Sequence, residues 1–311
     1  MGKLLVIGSM NMDFVVETEN MPKSGETISG KSVTLIPGGK GANQAYALGA
    51  LGGNVSMIGA VGKDDNGGIL KKNLARIGVD VDGILELSEE VTGQAFITVD
   101  LQGDNTIIVI PGTNGLVTRE IIDAKKDILM GCDTILMQLE IPLDTVMYAK
   151  ELAMNAGKTI IVDPAPARTD IPDSFWKGID YIKPNQTELA TLVGHQLENT
   201  KDVKAAAHEM LKKGVKGVIV TLGEDGCYLV TKEEEKFFEA EKVIAIDTTA
   251  AGDSFTAGFA LYISQGKSSD QAIKFAQKVS AIAVTRKGAQ TSVPTIDEVM
   301  SYGVQKEECN G

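Results

Sequence analysis

The stretch Ile246-Asp247-Thr248-Thr249-Ala250-Ala251-Gly252-Asp253-Ser254-Phe255 sets two carboxylates around a run of small residues. It follows a β-rich segment and opens an amphipathic helix with Phe255, Phe259 and Leu261 among its apolar positions, so it reads as a strand-to-helix turn. The amides of Ala250 to Asp253 would face an anion there, the helix dipole adds positive potential, and small side chains let a phosphoryl group come close. An Asp in a first helical turn is often only a cap. With Asp247 just upstream, the pattern also suits phosphoryl transfer, in which one carboxylate assists an attacking hydroxyl and the other places a loop or a cation.

Pro37-Gly-Gly-Lys-Gly-Ala-Asn-Gln-Ala45 is the second candidate. Glycines before a helix usually make a turn and nothing more. Three of them around Lys40, followed by Asn43 on the helix, also suit a site that presents donors to hydroxyl groups. Two other patterns fail on context. Gly25–Ser32 matches a P-loop letter for letter, yet a polar, proline-containing segment precedes it and the extended Val33–Pro37 follows, where a P-loop needs a buried strand and then a helix. A dinucleotide fingerprint fails because Gln44 stands where its last glycine belongs. The only histidines, His195 and His208, lie in polar stretches, which favours carboxylate chemistry over a histidine base.

The elements that must hold these residues alternate along the chain. Lys3–Gly8, Val55–Val61, Thr134–Gln138, Thr159–Asp163, Tyr181–Lys183 and Lys216–Leu222 read as buried strands. Gly41–Leu51, Gly67–Ile77, Leu143–Ala156, Asp202–Lys213, Gly252–Gln265 and Ser269–Arg286 read as helices, and the alternation predicts a parallel sheet covered on both faces. Phe14–Ile36 and Val91–Pro111 break the rhythm. Both are extended, the second is a hairpin turning at Gln102–Asn105, and together they suggest a small accessory sheet, either decoration or a lid. Cys227–Thr231, Lys236–Glu239 and Val243–Ile246 form a further β-patch. No linker or repeat divides residues 1–311, so one α/β domain with lid segments at about 14–36 and 91–111 is the expected organisation.

Thirty basic and 42 acidic residues give a formal charge of −12, which argues against nucleic acid and anionic membrane surfaces and for a small-molecule partner. Cys132, Cys227 and Cys309 have neither disulfide nor zinc spacing. No segment approaches the roughly 18 apolar residues of a membrane span, and the first apolar run is too short for a signal peptide, so a soluble cytoplasmic protein is expected.

These features together resemble the ribokinase family of carbohydrate kinases, also called PfkB, over nearly the whole chain. The likeness rests on Asn11-Met-Asp13, Gly38–Asn43, Gln138-Leu-Glu140, Asp163–Arg168, Lys183-Pro-Asn-Gln-Thr-Glu188, Thr221–Gly226, Asp247–Asp253 and Thr285–Ser292. It implies a ribokinase-like three-layer α/β fold with a central, mainly parallel sheet and a small β-sheet lid. The implied activity is transfer of the ATP γ-phosphate to the 5-hydroxyl of D-ribose. Fructokinase, deoxyribose kinase and nucleoside kinase activities use the same machinery, and a sugar-binding regulator without catalysis is the alternative of a different class.

By that resemblance Asp253 is the base, and the amides of Ala250, Ala251 and Gly252 form the anion hole. Asn11, Asp13, Gly39, Lys40, Asn43 and Glu140 meet the sugar. Asn185, Thr221, Gly223, Gly226 and Gly252 meet ATP, and Glu188 places Mg2+ through water, although Asn185 and Glu188 also fit a plain helix cap and Thr221–Gly226 a plain hairpin turn. Asp247, Thr249, Ala283, Arg286, Gly288 and Ser292 hold a monovalent cation, K+, partly through carbonyls. Ala250 departs from the glycine commoner at its position, which restricts positive φ there. The open edges and apolar face of the lid imply a homodimer.

Overall fold

The computed structural model describes residues 2–302, so Cys309 lies outside the described residues. In chain order the strands are β1 (Leu4–Ile7), β2 (Asn11–Glu17), β3 (Ser32–Gly38), β4 (Val55–Gly62), β5 (Asp80–Leu87), β6 (Gly93–Val99), β7 (Asn105–Ile110), β8 (Thr134–Met137), β9 (Thr159–Val162), β10 (Tyr181–Ile182), β11 (Gly217–Thr221), β12 (Gly226–Thr231) and β13 (Glu235–Glu239). The helices are α1 (Lys40–Ala50), α2 (Asp65–Arg76), α3 (Arg119–Ala124), α4 (Lys126–Met130), α5 (Leu143–Asn155), α6 (Asp173–Trp176), α7 (Gln186–Val193), α8 (Thr200–Lys213), α9 (Ala251–Ser264), α10 (Ser269–Ala283) and α11 (Ile296–Ser301).

Successive strand residues point to opposite faces, and here each face has its own core. Leu4, Val6, Leu136, Ile161 and Ile219 pack against α1, α2, α9, α10 and α11 through Leu48, Leu74, Phe259, Phe275 and Val299. Their neighbours Leu5, Ile7, Ile135, Ile160 and Val218 pack on the other side against α3 to α8, with Ile122, Val146, Trp176 and Met210 at the contact. This makes three layers. Each such buried aliphatic side chain contributes roughly 1.5–3 kcal/mol, enough in sum to offset the polar residues that crowd one edge of the sheet.

The sheet is nine-stranded in the order β13-β12-β11-β10-β9-β8-β1-β4-β5. From β11 to β5 all neighbours are parallel, and the β11–β12–β13 hairpins add an antiparallel edge. Winding reverses between β1 and β8, and the crevice beyond the carboxyl ends at such a reversal is where α/β sheets take ligands.

A second, four-stranded sheet has the order β3-β2-β6-β7. It is built from the two segments that interrupt the α/β rhythm. The β6–β7 hairpin closes with Gly103 at φ 85°, as the turn residues predict, and Asp100 Oδ1 accepts from the amides of Gln102 and Asp104. The segment expected to be extended throughout, Phe14–Ile36, is a strand at each end with residues 18–31 as the connection. Asp64 ties this sheet to the larger one, capping α2 at Gly67 while accepting from both the amide and the hydroxyl of Thr92, just before β6.

The chain departs from expectation in two more places. Val243–Ile246 is outside any strand despite its β-branched run, because Ile246 and Asp247 give their amides to the Val284 carbonyl at the end of α10 rather than to a ladder. Strand β5 was hidden by its acidic residues and Gly83, which suit an edge strand exposed on one side. The P-loop match runs into β3 and not into a helix, as its context predicts.

Candidate active site

The parallel strands end side by side, and polar residues follow each end. Ser9 and Asn11 come after β1, Gln138 and Glu140 after β8, Asp163 after β9, Lys183 and Asn185 after β10, and Thr221 closes β11. The first turns of α1 and α9 meet them. Gly41 is obligatory in α1, since a Cβ there would stand 2.6 Å from the Ser9 nitrogen. That close approach lets the Gly41 amide donate to Ser9 Oγ and the Lys40 amide to Glu140 Oε2 at 3.0 Å.

Asp253 is the best-buried carboxylate of this cluster after Asp163. Its Oδ1 accepts from Gln44 Nε2 at 2.9 Å and its Oδ2 from Asn43 Nδ2 at 3.0 Å. Burial pushes its pKa above the ordinary carboxylate range, and Asp163 adds to the rise while Lys40 and the two amides oppose it. A carboxylate raised in this way is a stronger proton acceptor than an ordinary one. The Lys40 ammonium is drawn down by burial, but Asp253, Asp163, Glu140 and Glu188 outweigh that and hold it above the usual lysine range.

The residues expected to meet sugar converge on the same edge, each with part of its capacity already used. Asn11 Oδ1 accepts from Asn114 Nδ2 at 2.7 Å, which turns the Asn11 NH2 outward as a donor. Glu140 Oε2 accepts from Ser9 Oγ at 2.5 Å as well as from the Lys40 amide, leaving Oε1. Asp13 is pushed up to about 7, first by burial and then by the charge of Glu140. Asn43 is fully engaged at both ends, because its Oδ1 accepts from Gln290 Nε2 at 3.1 Å. Its direct task in this arrangement is to hold Asp253.

At the phosphoryl end, Ala250 has φ 57°, the only positive value at a non-glycine among the described residues. The left-handed turn that presents the α9 amides is therefore made by alanine at a cost of roughly 1–2 kcal/mol. The Ala251 amide donates to the Thr248 carbonyl at 3.2 Å, a bond that a phosphoryl oxygen would have to share or replace. Gly252 leaves room for Lys183, whose Nζ lies 3.1 Å from where a Cβ on residue 252 would be. The Lys183 side chain is 7% exposed and its Nζ is 3.4 Å from Asp163 Oδ1. An ammonium beside the positive end of a helix makes a strongly anion-seeking spot.

Asn185 and Glu188 form a reciprocal capping box at the start of α7, and Thr221 is bridged to Asn185 across the sheet edge. The capping bond from the Asn185 amide uses Glu188 Oε2 and leaves Oε1. Among the described residues no group of three or more His, Cys, Asp or Glu side chains is gathered that could hold a metal ion directly. Gly223 and Gly226, at φ 60° and 118°, flank the short turn into β12.

Asp247 joins the two loops expected around a monovalent cation. Its Oδ1 accepts from the Thr249 amide at 2.9 Å and its Oδ2 from the Gly288 amide at 2.8 Å. Burial alone would raise its pKa, but the bonds from Thr249 and Gly288 outweigh it and the net shift is downward. The Ala283 carbonyl accepts from the Arg286 amide, and Ser292 Oγ donates to the Ala289 carbonyl. The Arg286 guanidinium pairs with Glu298 at 2.6 Å, so only its backbone stays with these loops.

Ser9, Gln44, Asn114, Gln138, Asp163, Lys183 and Gln290 received no site role from sequence, although Gln138, Asp163, Lys183 and Gln290 lie in stretches that carry the family resemblance. The available signal was a polar residue directly after a buried strand, which marks Gln138, Asp163 and Lys183. Gln44, Asn114 and Gln290 gave no such signal.

A strained, amide-lined turn, a buried carboxylate beside it and a set of polar side chains at a sheet reversal suit a small-molecule phosphotransferase. The chain belongs to the pfkB family of carbohydrate kinases, whose profile matches residues 1–296. It is 38% identical over 299 residues to the ribokinase of Haemophilus influenzae, across 96% of this chain and 97% of that protein. It is 36% identical to the deoxyribokinase of Salmonella typhi, across 96% and 98%. Arabidopsis thaliana ribokinase, solved as a complex with ribose and ATP, superposes with a TM-score of 0.91 at 34% identity over 96% of this chain and 98% of that one. The family resemblance and the ribokinase-like α/β fold expected from sequence are thereby confirmed.

The raised pKa of Asp13 has a stability consequence. A carboxyl whose folded pKa lies near 7 favours folding below its unfolded value near 4, and that contribution is lost as pH rises through 7. Asp13→Asn is expected to raise the melting temperature at pH 8 by about 2–4 °C, to raise it only about a third as much at pH 5, and to weaken sugar binding about 10- to 100-fold. Scanning calorimetry at both pH values with a sugar titration checks this; a pH-independent difference would show that another group titrates.

Proposed function

We propose that this carbohydrate kinase transfers the γ-phosphate of ATP to the 5-hydroxyl of D-ribose, giving ribose 5-phosphate and ADP. The observation that carries the reading is the Asp253 carboxylate, fixed by two amides at the head of α9, with Lys40 linking it by charge to Glu140. With the sugar on those residues, Asp253 takes the hydroxyl proton as the oxygen attacks the γ-phosphorus. The bond to the β-phosphate oxygen breaks and leaves with ADP. The amides of Ala250 to Gly252, Lys40 and Lys183 face the charge that spreads over the transferring oxygens. Glu188 would steady, through water, a Mg2+ ion held by the phosphates, which would supply further neutralisation.

Two of the relatives act on sugars that differ at one hydroxyl, ribokinase and deoxyribokinase by name. Asn11-x-Asp13 and the Gly38–Asn43 turn favour ribose. Residues 1–311 form one catalytic domain in this reading, with segments 14–36 and 91–111 closing over the sugar as a lid. ATP binds along Asn185, Thr221, Gly223 and Gly226. The cytoplasm suits an ATP-dependent enzyme with free, buried Cys132 and Cys227, and no described helix is long and apolar enough to cross a membrane.

Asp253→Asn keeps shape and capping but cannot accept the proton. Turnover is expected to fall by about 10²–10⁴-fold while calorimetric sugar and ADP affinities change little. Near-normal turnover would make Asp253 a cap.

A monovalent cation in the Asp247, Thr249, Ala283, Arg286, Gly288 and Ser292 loops would order the α9 turn without touching sugar. Turnover in K+ should therefore exceed turnover in a bulky organic cation at equal ionic strength. Equal rates would remove the cation from the mechanism.

The small sheet leaves Val33, Leu35, Phe96 and Ile107 to Ile110 exposed, with Ile108 at 67%. Such a face asks for cover, and a second copy meeting it lid to lid gives a homodimer. Light scattering should give twice 32.9 kDa, and Ile108→Glu should give the monomer; a monomeric wild type would reject the pairing.

A further inference from the structure

We propose that Gln44 is a positioning residue for Asp253: its carboxamide stands between the Asp163 and Asp253 carboxylates and prevents them from sharing a proton. The proposal deepens the reading above and rests on Asp253 as the base. Gln44 is fully buried on α1. Its Nε2 donates to Asp253 Oδ1 at 2.9 Å and to Asp163 Oδ2 at 2.9 Å, so both amide hydrogens are spent on carboxylates. The amide oxygen must then face the other way, and there Gln138 Nε2 donates to it at 2.5 Å. The opposite orientation would press the Gln44 oxygen against two anions. Gln138 therefore locks the end of Gln44 that matters.

Two carboxylates buried around one point are ordinarily unstable as a pair of anions. One proton shared between them lowers the repulsion and leaves one member protonated well above the usual range. A base in that state cannot accept the proton of a substrate hydroxyl. Gln44 supplies each carboxylate with its own donor, which removes the reason to share.

The charged groups around Asp253 do not duplicate this role. Lys40 on α1 acts on Asp253 through charge, and Glu140 and Glu188 reach the cluster through their effect on Lys40. Lys183, after β10, lies against Asp163 Oδ1, the oxygen that Gln44 does not use. Asn43 holds the other oxygen of Asp253 and has no bond to Asp163 among those described. With one amide on each of its oxygens, Asp253 has its carboxylate plane fixed and a lone pair left for the incoming hydroxyl.

The test is the pH profile of kcat/KM for the sugar in wild type, Gln44→Met and Gln138→Met, with circular dichroism and ADP titration as controls of folding. Gln44→Met should move the acid limb upward by about one pH unit or more. Its activity at pH 7 should fall roughly tenfold or more, and most of it should return by pH 9. The sugar KM at high pH should stay within about twofold, and Gln138→Met should shift the limb the same way by less. A limb that does not move, with kcat lowered equally at every pH, would make Gln44 a structural residue and overturn the proposal. If Gln44→Met does not fold, an unmoved limb in Gln138→Met overturns it. A wild type without any acid limb would instead reject Asp253 as the base.

Discussion

Placing a carboxyl group inside a protein is the constraint on which this structure turns. Asp253 sits where α9 begins, out of water, and an isolated charge there would cost several kcal/mol. Segments far apart in sequence share the task of offsetting that cost. Helix α1 brings Asn43, Gln44 and Lys40, the end of β9 brings Asp163, the end of β10 brings Lys183, and the loop before α11 brings Gln290. The three-layer fold lets them meet. Parallel strands end at one level, α1 after its glycine turn and α9 after its alanine turn aim their amide ends at that level, and the two apolar cores hold the layers in register.

The same logic extends to the sugar side. Asn114 spends its whole carboxamide on Met10 and Asn11, accepting the Met10 amide at 2.9 Å and donating to Asn11 Oδ1 and the Met10 carbonyl. It thereby decides which end of Asn11 faces outward. Thr92 and Asp64 do comparable work where the small sheet joins the large one. These supports hold each polar side chain at this edge in one orientation without a ligand.

Stability is given up at several of these points. Asp13 is held against its preferred ionisation, Ala250 occupies a left-handed conformation, and Asp163 Oδ1 has an ammonium nearby without a well-directed hydrogen bond. All three belong to the candidate site, and the cores on either side of the large sheet are apolar. Local rules broken at one edge and kept elsewhere are what a functional site imposes on a foldable sequence.

Sequence by itself determined the class of fold, because buried strands alternating with amphipathic helices admit few arrangements besides a covered parallel sheet. It also marked the glycine turn around Lys40, the small-residue turn before Asp253, the Asn185 and Glu188 cap and the hairpin of the small sheet, since each is a local pattern with a local cause. Strand β5 and the path of Val243–Ile246 escaped it, because edge pairing and a bond to the end of α10 depend on distant partners. Which oxygen of Asp253 meets which amide, the partnership of Gln44 with Asp163, and the approach of Lys183 to Gly252 were decided by tertiary structure alone. Those contacts join residues up to 210 positions apart, and side-chain hydrogen bonds across such separations leave no periodicity in the chain that makes them.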